Sequence, residues 1–454
     1  MPHAAATARR ARHSVARGPT RLCACPRGAR VRGLAHRLRS GCAVDASWTC
    51  PFCSLSCDGL ALAGGPDRFV LDGTDCPRAR AGLAAQWPRE APVPFIDGIA
   101  ASEGDALAEA ARRLAQWRQP LFGGMGTDLA GARALFRLAA RTGAICDHAD
   151  GEAMMHGLRA LQDRGQFHTT LAEIRARADL LVCVGTDAVA SYPEFFRRCG
   201  LDRPDTPCRG LVFLGAAPPP ALPGPMAAQH VAGSGDLFAD LQQLAALLGT
   251  PPPRVADAGL AALASSLREA RYAVVVWEAG LLPMHGALAV EMLHRIVMIL
   301  NRATRAATFA LGGSDGAATV QQVFTWLCGL PLRTRFGREG LVHEPLRLAA
   351  DRLLADGAVD GMLWAWSFSP ERLPPPTRIP RVVLGPAGMG RRLRHAGSER
   401  DCVFLPVATP GLDAPGHLFR ADGVVVPLAG VRSEGPAAMA RVVTDLLERL
   451  EALA

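Results

Sequence analysis

Apolar positions fall along the chain in two alternating rhythms. Short unbroken apolar runs read as buried strands: Pro120-Leu121-Phe122 into a glycine turn, Gly143-Ala144-Ile145-Cys146, Asp179–Gly185 and Gly210–Gly215. Stretches with helical spacing lie between them. Ser102-Glu103-Gly104-Asp105 is a capping box with Asp in place of Glu, and Leu107, Ala111, Leu114 and Trp117 follow on one face. Leu129–Thr142 is a second amphipathic helix, with Asp128 placed to cap it. A helix around Asp236–Leu248 stands between two triple-proline breaks, Pro218–Pro220 and Pro251–Pro253. The rhythm then restarts with strand Tyr272–Trp277 and helix Gly286–Asn301. Strands Ala306–Leu311, Gly361–Trp366, Arg381–Gly385, Cys402–Val407 and Gly423–Leu428 follow. A closing helix from about Ala438 carries Met439, Val442, Val443, Leu446, Leu447, Leu450 and Leu453 on one side.

This alternation predicts an α/β fold of two Rossmann-like units, each a mostly parallel sheet with helices on both faces. The expected segments are a leader (1–44), a cysteine module (45–95) ending in the linker Pro88–Pro94, and a first α/β domain (96–270). A second α/β domain (271–400) and a tail of late strands and helix (401–454) complete the chain. Ligands of such sheets bind outside the carboxyl ends of the strands, which puts the turns Gly123–Asp128 and Gly185–Ser191 on the functional edge.

Charge changes the picture at one end only. The formal charge of +8 arises in residues 1–44, which hold ten Arg and no Asp or Glu. The remaining 40 Arg face 42 acids, a net charge of −2, which argues against a nucleic-acid-binding face on the folded part. No Lys occurs, so Schiff-base and P-loop lysine chemistry are excluded. Residues 1–44 lack the continuous apolar core of a signal peptide. They read as a disordered leader or a start assigned too far upstream. With no apolar run long enough to span a bilayer, the expectation is a cytoplasmic protein that engages neither membrane nor nucleic acid. Thirteen cysteines in so long a chain favour reduced thiols.

Four of these cysteines carry the clearest chemistry. Cys50, Cys53, Cys57 and Cys76 form C-x2-C-x3-C followed by a distant fourth, each set beside a turn former (Pro51, Gly59 or Pro77). Free cysteines are often merely buried, but three within eight residues favour a metal site. Ligand type alone leaves zinc and [4Fe–4S] both open, and the order leans towards the cluster, since zinc ribbons usually show two C-x2-C knuckles. Cys146, Cys183, Cys199, Cys208, Cys328 and Cys402 are scattered, mostly in apolar runs, where packing is their default role. His148 at a strand end, His417, and the local set Arg333, Arg335 and Arg338 are further candidates. For the histidines a hydrogen-bonded structural role, and for the arginines a solvated face, are the commoner outcomes.

Three later stretches are distinctive: Thr325-Trp326-Leu327-Cys328-Gly329-Leu330-Pro331, Pro410-Gly411-Leu412-Asp413-Ala414-Pro415-Gly416 continuing through Arg420-Ala421-Asp422, and Gly361–Ser367. Together with the cysteine module, from about Trp48 to Leu428, they resemble the B subunit of formylmethanofuran dehydrogenase, whose bacterial relatives belong to formyltransferase/hydrolase complexes of methylotrophs. The resemblance implies a molybdopterin oxidoreductase fold, with Cys50, Cys53, Cys57 and Cys76 at the positions of [4Fe–4S] ligands. It implies a pterin cleft touched by Gly124, Gly185, Asp187, Ser367, Arg420 and Asp422. Its partners would be an amidohydrolase-type hydrolase, a formyltransferase and a small subunit.

The departure from the family is a missing sulfur. Redox-active members ligate tungsten or molybdenum with a Cys or selenocysteine from the segment matching Gly123–Ala130, yet no cysteine lies between Cys76 and Cys146. Asp128 is the candidate substitute ligand, set against its simpler role as a helix cap. The expectation is a redox-inactive structural subunit without molybdopterin or tungstopterin. The alternative is an active tungsten- or molybdenum-pterin formate/CO2 oxidoreductase using Asp128 or a sulfido ligand, with His148 as the acid–base candidate.

Overall fold

The computed structural model describes residues 45–454 apart from 65–68, 88–90, 225, 252, 254–256, 284, 433 and 454. The Arg-rich leader and Pro88-Arg89-Glu90 of the expected linker lie outside the described residues.

Five parallel strands lie side by side in the order Ile145–Cys146, Pro120–Gly126, Gly361–Trp366, Arg381–Gly385 and Cys402–Pro406. Antiparallel hairpins finish both edges of this sheet, Thr334–Gly337 with Gly340–His343 on one side and Phe95–Ile96 with Ile99–Ala100 on the other. A second sheet is parallel throughout: Ala228–Val231, Gly210–Leu214, Leu180–Val184, Tyr272–Glu278 and Arg305–Leu311. The central strands of both sheets are buried along their length, as sheets covered on two faces require.

The sheets do not part at residue 270. Tyr272–Glu278 and Arg305–Leu311 join Leu180–Val184, whereas Gly361–Trp366 and the strands after it return to Pro120–Gly126. The smaller sheet is therefore an insertion within the larger one, and the expected domains 96–270 and 271–400 are replaced by interleaved units. Cys402–Pro406, expected in the tail, is an inner strand of the large sheet. Periodicity shows that a segment is a buried strand; crossover geometry and register choose its neighbour.

The glycine turn expected after Phe122 is also absent, because the strand continues to Gly126. Trp364 pairs with Gly123 and Trp366 with Gly126, so Gly124 and Met125 together oppose Ala365 in a bulge, at φ 74° and 57°. A Cβ on Gly126 would stand 2.5 Å from the Trp366 ring, and one on Gly124 2.9 Å from the Trp364 ring. These glycines make room for two indoles on the neighbouring strand.

Helices form largely where the pattern places them. Ser102 accepts from the Asp105 amide, and Asp128 accepts from the Gly131 amide at 3.0 Å to cap Leu129–Thr142. The closing helix Met439–Ala452 buries Met439, Val442, Val443, Leu446 and Leu450 against Leu135 and Leu138, while Leu453 is exposed. The cysteine module is a three-stranded antiparallel sheet plus helix Pro77–Ala85, anchored by the Trp48 indole, which donates to Gly411 O at 2.7 Å. Among the described residues no helix is long and apolar enough to cross a membrane.

Gly126→Ala should lower stability by about 1–3 kcal/mol, the usual cost of overpacking, read as a reduced denaturation midpoint with an unchanged slope.

Candidate functional site

A cleft of about 1060 Å³ opens at the carboxyl ends of both sheets. Gly124, Asp147 and Trp364 line it from the large sheet, and Trp277, Glu278 and Leu311 from the small one. The loop Gly312–Gly316 closes the junction. Gly316, at φ 81°, lies so tightly on the Thr127 backbone that no Cβ fits between them. This is the strand-end position that open α/β sheets use for ligands.

Charged groups in the cleft are mostly committed to one another. Arg333, itself buried, pairs with Asp147 at 3.3 Å and Glu152 at 3.2 Å. Arg372 pairs with Asp150 at 2.5 Å, and Arg420 holds Asp422 through two bonds of 2.7 Å. Arg78 donates to Phe52 O and Ser191 O. These four arginines face six lining carboxylates: Asp147, Asp150, Glu152, Glu278, Asp315 and Asp351.

Burial shifts several of the titrating groups. It pushes Asp147 up to about 6 against the pull of Arg333, and Asp315 up to about 6 against Arg78 and Arg372. It lowers His148 to about 4, so the ring is neutral at physiological pH. Nδ1 of His148 accepts the Asp150 amide at 2.9 Å, which leaves the proton on Nε2. The ring tilts against Trp366 at 5.6 Å.

The expected site residues divide sharply. His148, Gly124 and Arg420 line the cleft. Asp128, Gly185, Asp187, Ser367 and Asp422 do not. Asp128 is buried under its helix-capping bond and turned towards the amide of exposed His417. Asp187 caps the amides of Val189 and Ala190, and Ser367 bonds the Thr127 hydroxyl at 3.3 Å. Asp422 acts one step back, holding Arg420. Arg335 and Arg338 are exposed as expected, whereas Arg333 is an internal ion-pair residue. Missing from the sequence-based set are Arg78, Asp147, Glu278, Asp315 and Arg372. Asp315 lies in Gly312-Gly313-Ser314-Asp315-Gly316, a turn after a predicted strand, and that signal was available.

A second, smaller cavity is lined by Cys50, Cys53, Cys57 and Cys76 together with Arg78. Backbone amides are aimed at two of the sulfurs: Phe52 at Cys50, and Leu55 and Ser56 at Cys53. The Arg78 charge acts on Cys53 and the Arg198 charge on Cys57. Burial nonetheless holds Cys50, Cys53 and Cys57 above the ordinary thiol range, Cys57 to about 12. Four thiols with inward amides and adjacent cations form a donor set for a thiophilic centre of net negative charge. Among the described residues no three His, Cys, Asp or Glu side chains close together as a single ion requires.

No protein-family model matches the chain. It is 29% identical over 345 residues to the B subunit of the formyltransferase/hydrolase complex Fhc of Methylorubrum extorquens, covering 74% of this chain and 90% of that protein. A solved structure, the M. extorquens complex FhcABCD with methylofuran, superposes with a TM-score of 0.68 at 27% identity, over 80% of this chain and 100% of the matched one. The chain is a relative of the formylmethanofuran dehydrogenase B subunit. The B subunit of tungsten-containing formylmethanofuran dehydrogenase 2 from Methanocaldococcus jannaschii is 23% identical over 422 residues, covering 84% of this chain and 92% of that protein. The Methanococcus maripaludis protein of the same name is 23% identical over 442 residues, covering 88% and 98%.

Asp315 gives this cleft a pH signature. A carboxyl raised to about 6 binds its proton more tightly when folded, so its stabilising contribution is full below about pH 4 and lost by about pH 6. Asp315→Asn should therefore raise the melting temperature at pH 7.5 and leave it unchanged near pH 4, measured by paired thermal scans.

Proposed function

We propose that this chain is the B subunit of a formyltransferase/hydrolase complex in one-carbon metabolism, where formyl units leave as formate, and that it serves there as a redox-silent framework. The hydrolase, formyltransferase and small subunits are its partners, in the cytoplasm. The observation that carries the silent role is the missing sulfur donor. Among the described residues no cysteine lines the cleft, and the one beside it in the sheet, Cys146, packs into the apolar core with Leu135 and Leu138.

The same cleft bears on the family's metal–pterin group. Its size is ample, but its residues do not fit. Asp128, the substitute ligand, is turned away. Three of the four lining arginines are already neutralised by carboxylates, which suits a pair of pyrophosphate-bearing dinucleotides poorly. The four thiols, in contrast, fit a metal centre. Around one zinc ion, thiolates at 2.3 Å would stand about 3.8 Å apart, whereas a cubane carries an iron at each of four corners and spreads them wider. The inward amides, the adjacent arginines and the C-x2-C-x3-C order favour a [4Fe–4S] cluster.

Affinity-tagged chain from its host should bring down hydrolase and formyltransferase subunits, release formate from a formylated carrier, and show no viologen-linked formate oxidation. Stoichiometric tungsten or molybdenum in that preparation, with formate oxidation, would establish the oxidoreductase alternative instead.

A further inference from the structure

A cluster site in a subunit without redox chemistry needs another reason to exist, and the hydrogen bonds around the thiols supply one. Ser54 lies between Cys53 and Cys57, and its carbonyl accepts the Ala421 amide at 2.8 Å. Ala421 sits between Arg420 and Asp422, and both Arg420 and Ala421 line the cleft. Asp422 reaches on to the Leu171 amide at 3.1 Å, at the start of helix Leu171–Arg177. On the other side, Arg78 follows Cys76 by two residues. It donates to Phe52 O at 2.7 Å, inside the Cys50–Cys53 loop, and to Ser191 O at 3.0 Å. Its guanidinium lies 5.8 Å from the Tyr192 ring and lines both cavities.

The thiol loop is poorly held by itself. Two backbone bonds close it, Cys50 N to Cys57 O and Ser56 N to Cys53 O, and Ser56 stands at φ 40°, a conformation that serine seldom adopts unaided.

We propose that the metal centre on Cys50, Cys53, Cys57 and Cys76 is a structural latch on the cleft wall. Loading replaces four thiol protons, which leave to solvent, with bonds to the metal. It fixes the loop that presents Ser54 O to Ala421 and Phe52 O to Arg78, and so sets Arg420, Arg78 and Tyr192 in the cleft. Electron transfer is not required of it. The inference rests on the reading that the thiols hold a metal, and deepens it by giving that metal a mechanical role.

The test is hydrogen–deuterium exchange on the anaerobically purified complex, before and after cluster removal with ferricyanide and a ferrous chelator, with metal content measured alongside. Amides at 418–424 and 189–192 should exchange roughly tenfold or more faster once the metal is gone, while the strands Leu180–Val184 and Tyr272–Glu278 keep their protection. Unchanged exchange at 418–424 after confirmed metal loss overturns the latch. So does full protection there in protein isolated without metal. Cys76→Ser should mimic removal. If that variant does not fold, Arg78→Met keeps the four thiols, and 189–192 should loosen in its metal-loaded fraction, with metal content measured alongside; unchanged exchange there would overturn the Arg78 arm. Co-purification of the other subunits is a separate readout, so the framework assignment stands or falls independently of the exchange result.

Discussion

The contact between Gly316 and the Thr127 backbone is the constraint from which the functional geometry follows. It brings the strand-end loop of the inserted sheet onto the strand end of the large one. Any side chain at Gly316 would force the two apart. With these strand ends fixed together, the carboxyl ends of both sheets face a common space, and the cleft exists because neither sheet fills it.

What the cleft can do is then decided by charge and by sulfur. Ion pairing between Arg333 and Asp147, and between Arg372 and Asp150, leaves little free positive charge for a polyanion. The groups with displaced titration, Asp147, Asp315 and His148, owe their shifts first to burial. Among the described residues no cysteine lines the cleft, so no thiolate is offered there to a soft metal.

The cysteine module is tied to the rest by hydrogen bonds that reach far along the chain. Trp48 bonds Gly411, and Ser54 bonds Ala421, so the late motif and the thiol loop hold each other in place. The late motif lines the cleft through Phe419, Arg420 and Ala421, and the thiol loop braces it from behind.

The sequence by itself determined the elements and the donor set. Asp128 caps its helix, Tyr272–Glu278 and Gly361–Trp366 are buried strands, and four cysteines ring one cavity, because capping, periodicity and ligand spacing are local properties. Only the tertiary structure decided which strands pair, that Gly123–Gly126 is a bulged strand packed on two indoles, and that His148, Gly124 and Arg420 meet Asp315 and Arg78 while Asp128 and Asp187 do not. Those outcomes depend on contacts between residues more than a hundred positions apart. Their energies arise from packing and burial that no local pattern encodes.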